Sequence, residues 1–202
     1  MAAPWQPLLD WWFGSEPRAT AAEVAAAQSR LWFGKRDSQD QEARERFGEW
    51  VDKAMAGELT AWHAQPSGWL ATVLLLDQLP RMIFRDTPRA FAGDARAQAL
   101  VEEGLARGLD QHLPPLQRVF IYLVLEHAED LASQARSVEY FSGLHSASAP
   151  VDRPTFADYL DYAQRHQRVI ARFSRFPHRN AILGRSSTAE EQAFLLEPGS
   201  RF

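Results

Sequence analysis

The chain has 202 residues, 46% of them apolar and 24% charged; these are the proportions of an ordinary globular protein, with room for one substantial core and too few residues for two. Its lack of cysteine excludes disulfides and thiolate catalysis and fits a reducing compartment. A net charge of −4 excludes a general nucleic-acid binder, which needs a basic surface.

The start, Met1 to Trp5, has no basic stretch followed by an apolar run, so no secretory leader is expected. Leu8 to Phe13 is a short aromatic helix ending at Gly14. Thr20 to Trp32 is an alanine-rich helix, in which Thr20 followed by Glu23 three residues later forms a capping box. Asp37 or Ser38 starts a third helix that closes near Gly57, with Phe47, Trp50, Val51 and Ala54 at helical spacing. Ser67 caps an apolar helix from Trp69 to Gln78, which Pro80 is expected to end or kink.

Ala95 to Arg107 is helical and is stopped by Gly108. Pro114-Pro115 leads into Leu116 to Leu125, and a further helix is expected from about His127 to Leu144. Ser146 to Pro154 is loop-like, Thr155 to Phe173 is the last long helix, and Pro177 to Gly184 cannot be helical throughout. Ser187 or Thr188 caps a terminal helix with Glu190 and Glu191 in its first turn. Strand-like alternation is nearly absent. These segments predict an all-α fold, about eight helices stacked as antiparallel hairpins in a single domain over residues 1–202. Seven tryptophans and twelve phenylalanines supply much apolar area to bury. The longest apolar run, Val73 to Leu76, is far too short to cross a bilayer, so a soluble cytoplasmic protein is expected.

Polar groups interrupt the apolar faces at a few places. His166 falls in a stripe with Tyr159, Tyr162, Ala163, Ile170 and Phe173, while Arg165, Arg168, Arg172 and Arg175 run down a neighbouring face. Between Tyr162 and Ala189 there are six arginines, Arg179 and Arg185 included, and no acid. Such a row is either solvated or meets an anion. His127 and Gln134 interrupt a seam with Leu131, Val138 and Phe141, and Glu126, Glu129 and Asp130 crowd its first turn. Asp77 follows three leucines, with Arg81 four residues on, so a cationic or donor partner is expected for it.

Each of these residues has a structural explanation taken singly. A core histidine is usually a satisfied donor, and an Asp–Arg pair at helical spacing is more often structural than functional. Their convergence on faces expected to be dry marks a candidate site.

The segments that carry these groups, Leu74-Leu75-Leu76-Asp77-Gln78-Leu79-Pro80-Arg81, Glu126-His127-Ala128-Glu129-Asp130 and Arg172-Phe173-Ser174-Arg175-Phe176-Pro177-His178-Arg179-Asn180, resemble the bacterial domain of unknown function 924 family over nearly the whole chain. So do Ile83-Phe84-Arg85, Ala90-Phe91 with Asp94, Leu183 to Thr188, and Trp12-Phe13-Gly14. The resemblance implies a helical fold like that of tetratricopeptide-repeat proteins; it implies no activity. Ala95 to Gly108 resembles one such helix, but no clean repeat of about 34 residues is present. The sequence departs from the family pattern at Leu79, Met82 and Ser174; serine in place of glycine at 174 argues against a positive φ there.

The reading with most support is a site for a small anionic ligand, a phosphate or carboxylate metabolite, gripped by the planar forks of Arg81, Arg172, Arg175, Arg179 and Arg185 and oriented by His178 and Asn180. One alternative is a scaffold binding an acidic or C-terminal peptide. Another is a hydrolase or lyase that uses histidine acid–base chemistry without a cysteine, drawing on His127, His166, His178, Asp77 and Glu129. No Gly-x-Ser-x-Gly or Walker-type motif is present. His-Glu-x-x-His and paired Glu-x-x-His motifs are absent too, so neither a metal nor an organic cofactor is expected.

Overall fold

Several helices start and stop where local chemistry dictates. A computed structural model describes residues 3–15 and 20–200; Met1 and Ala2, part of the stretch read above for a leader, lie outside it. Among the described residues there are nine α-helices and no strand. The first three are α1 (Gln6–Phe13), α2 (Ala21–Trp32) and α3 (Asp37–Ala56). They are followed by α4 (Pro66–Ile83), α5 (Asp94–Ala106) and α6 (Pro115–Glu126), and then by α7 (Leu131–Ala147), α8 (Arg153–Phe173) and α9 (Ala189–Phe194). The capping boxes at Thr20 and Thr188 are both formed, and α3 closes on Gly57 in the left-handed region. Proline sits in the first turn of α4, α6 and α8, where its missing N–H leaves no bond unmade.

Long packed faces joined by short links make hairpins of α3 with α4 and α7 with α8, and α6 packs on α7. Helix α4 lies at the centre, with every residue from Gly68 to Pro80 buried. Around it the aromatic residues form a continuous cluster, in which Phe120 meets Trp12, Phe13 and Trp32 at 4.9–5.4 Å between centroids. A second, smaller apolar cluster of Val169, Ile170 and Phe176 lies where α8 ends. No helix is long and apolar enough to cross a membrane.

Three elements differ from expectation. Helix α4 begins at Pro66 and continues through Pro80 to Ile83. Proline at 80 leaves the Leu76 carbonyl without its helical donor. Gly93 lies against that carbonyl so closely that a Cβ there would come 2.2 Å from the oxygen. The helix expected from His127 begins only at Leu131, because Asp130 caps it by accepting the Ser133 N–H at 2.8 Å. Ser174 has φ of +58° and closes α8 in the left-handed conformation, despite its side chain. Its N–H bonds back to the Ile170 carbonyl at 2.8 Å, an ordinary C-terminal arrangement that serine accepts at modest cost.

Candidate functional site

The close approach of Gly93 to Leu76 brings the start of α5 against the last turns of α4. Asp94, the first residue of α5, thereby meets Arg81: the Nη1–Oδ1 distance is 3.0 Å, and Nη2 donates to Oδ2 at 3.1 Å. Arg81 also contacts Asp77, one turn earlier, at 3.0 Å and donates to its carbonyl at 2.6 Å.

Asp77 is buried. Its carboxylate spans His127 Nδ1, at 2.8 and 3.0 Å to the two oxygens, and accepts from Gln78 Nε2 at 2.7 Å. Burial alone raises a carboxyl pKa, but Arg81, His127 and Gln78 outweigh it and hold Asp77 below the ordinary range. His127 is pushed the other way: burial, with Arg81 and Arg179 behind it, lowers its proton affinity in spite of Asp77.

His127 lies in the break between α6 and α7. Gln134, fully buried, sets that break by donating to the carbonyls of Glu126 and Ala128 at 2.5 and 2.8 Å, which caps the end of α6. The polar interruption of the α7 face is thus a helix cap reaching back across the break.

His166, buried on α8, contacts Glu126 at 2.9 Å and the Tyr162 carbonyl at 2.9 Å through Nδ1. Tyr162 itself, expected in the same buried stripe, is exposed. The imidazole of His166 stands edge-on to Phe176, 5.4 Å between centroids, and Phe176 is followed by His178 at 5.6 Å. Burial and the neighbouring Arg179 push the His178 pKa down to about 3.

Glu129 organises the loop after α8. Its Oε1 accepts the Phe176 N–H at 2.7 Å, and Arg185 bridges both of its oxygens. Arg185 also donates to Asn180 Oδ1 at 2.9 Å, and buried Asn180 donates to Ser187 at 3.0 Å. Burial opposes the Glu129 charge, but Arg185 and the Phe176 N–H more than compensate and lower its pKa.

Most of the arginine row is therefore paired with acids from outside the acid-free stretch, while Arg168 is exposed. Arg165 pairs with Asp161, Arg172 with Glu190, and Arg175 bridges Glu191 at 2.6 and 2.8 Å. Arg175 leads the causes that hold Glu191 down at about 2. Arg179 is the exception in degree. It is buried at 6% exposure between the rings of Phe91 and Phe176, 4.9 and 4.6 Å from their centroids. Its contact with Asp94, already shared with Arg81, is long at 3.4 Å, and its Nε has no hydrogen-bond partner among the described residues. Burial first, and Arg81 second, lower its pKa to about 10.

Five segments thus converge here: the end of α4, the start of α5, the α6–α7 break, α8 and the 176–185 loop. Asp77, Arg81, His127, His166, His178 and Arg179 come together, and Glu129, Asn180 and Arg185 brace them from the loop side. Arg172 and Arg175 lie further along, against α9. Sequence reasoning passed over Asp94 and Glu126 as partners of the charged groups, and Phe91 as a wall of the site. The signals for Asp94 were its position at a helix start and its place in a family-like segment, and neither reveals which cation it meets. Among the described residues no group of three or more histidines, cysteines and carboxylates is placed to hold a metal ion.

The model of a bacterial family of unknown function, DUF924, matches residues 8–199. The chain belongs to that family. In structure it is similar to a protein of unknown function, ATU0120, from Agrobacterium tumefaciens, with a TM-score of 0.72 and 35% identity, covering 88% of this chain and 99% of that one. No curated protein matches it. As a DUF924 member it carries an all-helical fold with no activity attached.

Proposed function

We propose that this DUF924 protein binds a small anion, a carboxylate or phosphate, at Arg179 with Arg81 beside it. The observation that carries the reading is the Arg179 guanidinium: buried between two phenylalanine rings, left with one long ion pair and an unbonded Nε. A buried cation with unmade hydrogen bonds is costly, and a planar oxyanion gripped by its fork offsets that cost. The cluster reaches solvent through Arg81, Asp94 and His127, each 15–20% exposed at the side chain. Arg172, Arg175 and Arg185 belong to the same motif, but each already has a carboxylate, so their part is to hold the loop and α9 in place.

The charges bear on which anions fit. Arg81 and Arg179 face Asp77 and Asp94, so a guest anion leaves one negative charge in excess. Protonation of His127 compensates for it, and because burial holds that imidazole below the ordinary histidine value, binding tightens as pH falls below about 6.5.

Thermal shift and calorimetry with inorganic phosphate, acetate and benzoate at low ionic strength test the reading. At ligand concentrations about 100 times the dissociation constant, binding adds ~2.7 kcal/mol to stability and raises the melting temperature by roughly 5–10 °C. Arg179→Ala removes that response. If none of the three anions moves the wild-type transition, the reading fails.

A further inference from the structure

Two acid–histidine pairs lie within this cluster, and they differ in one respect that matters for chemistry. His166 and Glu126 are both sealed, at 6% and 3% side-chain exposure, and the Nδ1 of His166 is shared with a backbone carbonyl. That pair ties α8 to the end of α6. In the other pair the carboxylate is sealed and the imidazole is not: Asp77 is 1% exposed and His127 16%. Asp77 is further fixed by Gln78 and Arg81. An ionised carboxylate accepts hydrogen bonds and cannot donate them, so His127 Nδ1 carries the proton and the lone pair lies on Nε2. A buried acid that sets the tautomer of a histidine reaching solvent, with guanidinium groups alongside, is the geometry of a general base.

We infer that His127, oriented by Asp77, is a catalytic general base that activates water to hydrolyse esters of small anionic molecules held by Arg179. The inference rests on the anion-binding reading above and adds a reaction to it. Among the described residues, the groups that act on the dyad are Gln78, Arg81, His166, His178 and Arg179, none of which carries a hydroxyl or thiol, so water is taken as the nucleophile.

Water gives a proton to His127 Nε2 while its oxygen forms a bond to the acyl carbon. The negative charge that develops on the acyl oxygen is met by Arg81, while Arg179 holds the substrate's anionic group. Collapse of the tetrahedral intermediate breaks the bond to the leaving oxygen, and His127 returns the proton to it. One ester and one water become one acid and one alcohol, with His127 neutral again. Asp77 is a positioning residue that stabilises the transient imidazolium. The groups facing His127 are Asp77 and Arg81 from α4, His166 from α8, and His178 and Arg179 from the loop. Burial and the two guanidinium groups keep its proton affinity below that of an ordinary histidine, so the base is free at neutral pH.

The experiment uses the full chain with 4-acetoxybenzoate as substrate, its neutral methyl ester as comparison, and benzoate as the binding probe. Wild type is expected to hydrolyse the anionic ester above the buffer rate and in preference to the methyl ester, with kcat/KM, which reports the free protein, rising to a plateau through one ionisation below pH 6.5. His127→Gln lowers kcat by about 100-fold or more while benzoate still shifts the melting transition. Asp77→Asn, which keeps the volume and disturbs the tautomer, lowers kcat without abolishing benzoate binding. The wild-type pH profile requires no variant to fold. If benzoate binds and the anionic ester is not hydrolysed above buffer, or if His127→Gln hydrolyses it at the wild-type rate, the dyad proposal is overturned and the binding reading stands. If benzoate does not bind, this proposal falls, and if phosphate and acetate do not bind either, the binding reading falls with it.

Discussion

Arg185 holds Glu129 at two points, Nη1 to Oε2 at 2.6 Å and Nη2 to Oε1 at 2.9 Å, while the same Oε1 accepts the Phe176 N–H. This clamp joins the α6–α7 break to the loop after α8 and so fixes the distance between His127 and Arg179. Each partner is about one-quarter exposed, which tempers the energy of the pair. Arg185→Ala is expected to cost roughly 1–3 kcal/mol and to lower the melting temperature by several degrees. It also weakens benzoate binding, although Arg185 is not the proposed anion contact. Calorimetry on the variant reads both effects. An unchanged melting point together with unchanged affinity would show that the clamp does not position the loop.

Gly93 permits the contact on which the Arg81–Asp94 pair depends. Alanine at 93 would bring a Cβ to 2.2 Å from the Leu76 carbonyl, a backbone atom in a buried helix that has little freedom to move. The start of α5 must then shift away and carry Asp94 from Arg81. Overpacking of this kind costs about 1–3 kcal/mol. Gly93→Ala is therefore expected to lower stability and also to leave Arg81 and Arg179 less neutralised, which sharpens the salt dependence of melting. A scan of melting temperature against ionic strength, wild type beside variant, checks both parts.

Much of the architecture was legible because helix periodicity and caps are local. Thr20, Gly57 and Thr188 each announce a helix end within four residues of themselves, and the capping chemistry is formed as the sequence implies. The site was legible in part, for the same reason. Asp77 and Arg81 share one helix face, but the partner that completes Asp77 is fifty residues away at His127, and the acids that pair with Arg172, Arg175, Arg179 and Arg185 come from α5, α9 and the α6–α7 break. A window without acids in the sequence is not a volume without acids in the fold. Two local rules also gave way to tertiary contacts. Pro80 does not end α4, because packing on all sides holds the helix through it. Ser174 takes a positive φ because the chain must turn there to reach Glu129.

His178 gives stability a dependence on acid. Its pKa in the folded protein is about 3, lowered by burial and then by Arg179, against an ordinary value of 6.5. Between those two values the unfolded chain binds a proton at this position and the folded chain does not. The contribution of His178 to stability is therefore complete above pH 6.5 and is lost as pH falls towards 3, with a slope of up to about 1.4 kcal/mol per pH unit. His127, also depressed, adds to the same trend. Glu191 and Asp77 contribute losses below about pH 4.5 by the same linkage in a lower window, since their folded pKa values also lie under the unfolded ones. Urea titrations at pH 7, 6 and 5 isolate the histidine window. His178→Gln is expected to flatten the loss between pH 6.5 and 5, and a slope equal to that of wild type would contradict the assignment.

Gln134 connects the break in the helices to the chemistry proposed for it. It is fully buried, and its amide is what satisfies the Glu126 and Ala128 carbonyls on either side of His127. Methionine at 134 keeps nearly the same volume and removes both donors, leaving two buried acceptors at the end of α6. The loss is expected to be about 1–3 kcal/mol. A second effect separates a positioning role from a purely structural one. With its backbone no longer held, the His127 ring gains access to water and loses some of the desolvation that depresses its pKa. Histidine titration by NMR should then find His127 moved up towards 6.5 in Gln134→Met, with the kcat/KM profile for 4-acetoxybenzoate moving by the same amount. If His127 titrates as in wild type while the protein is measurably less stable, the amide braces the fold and nothing more.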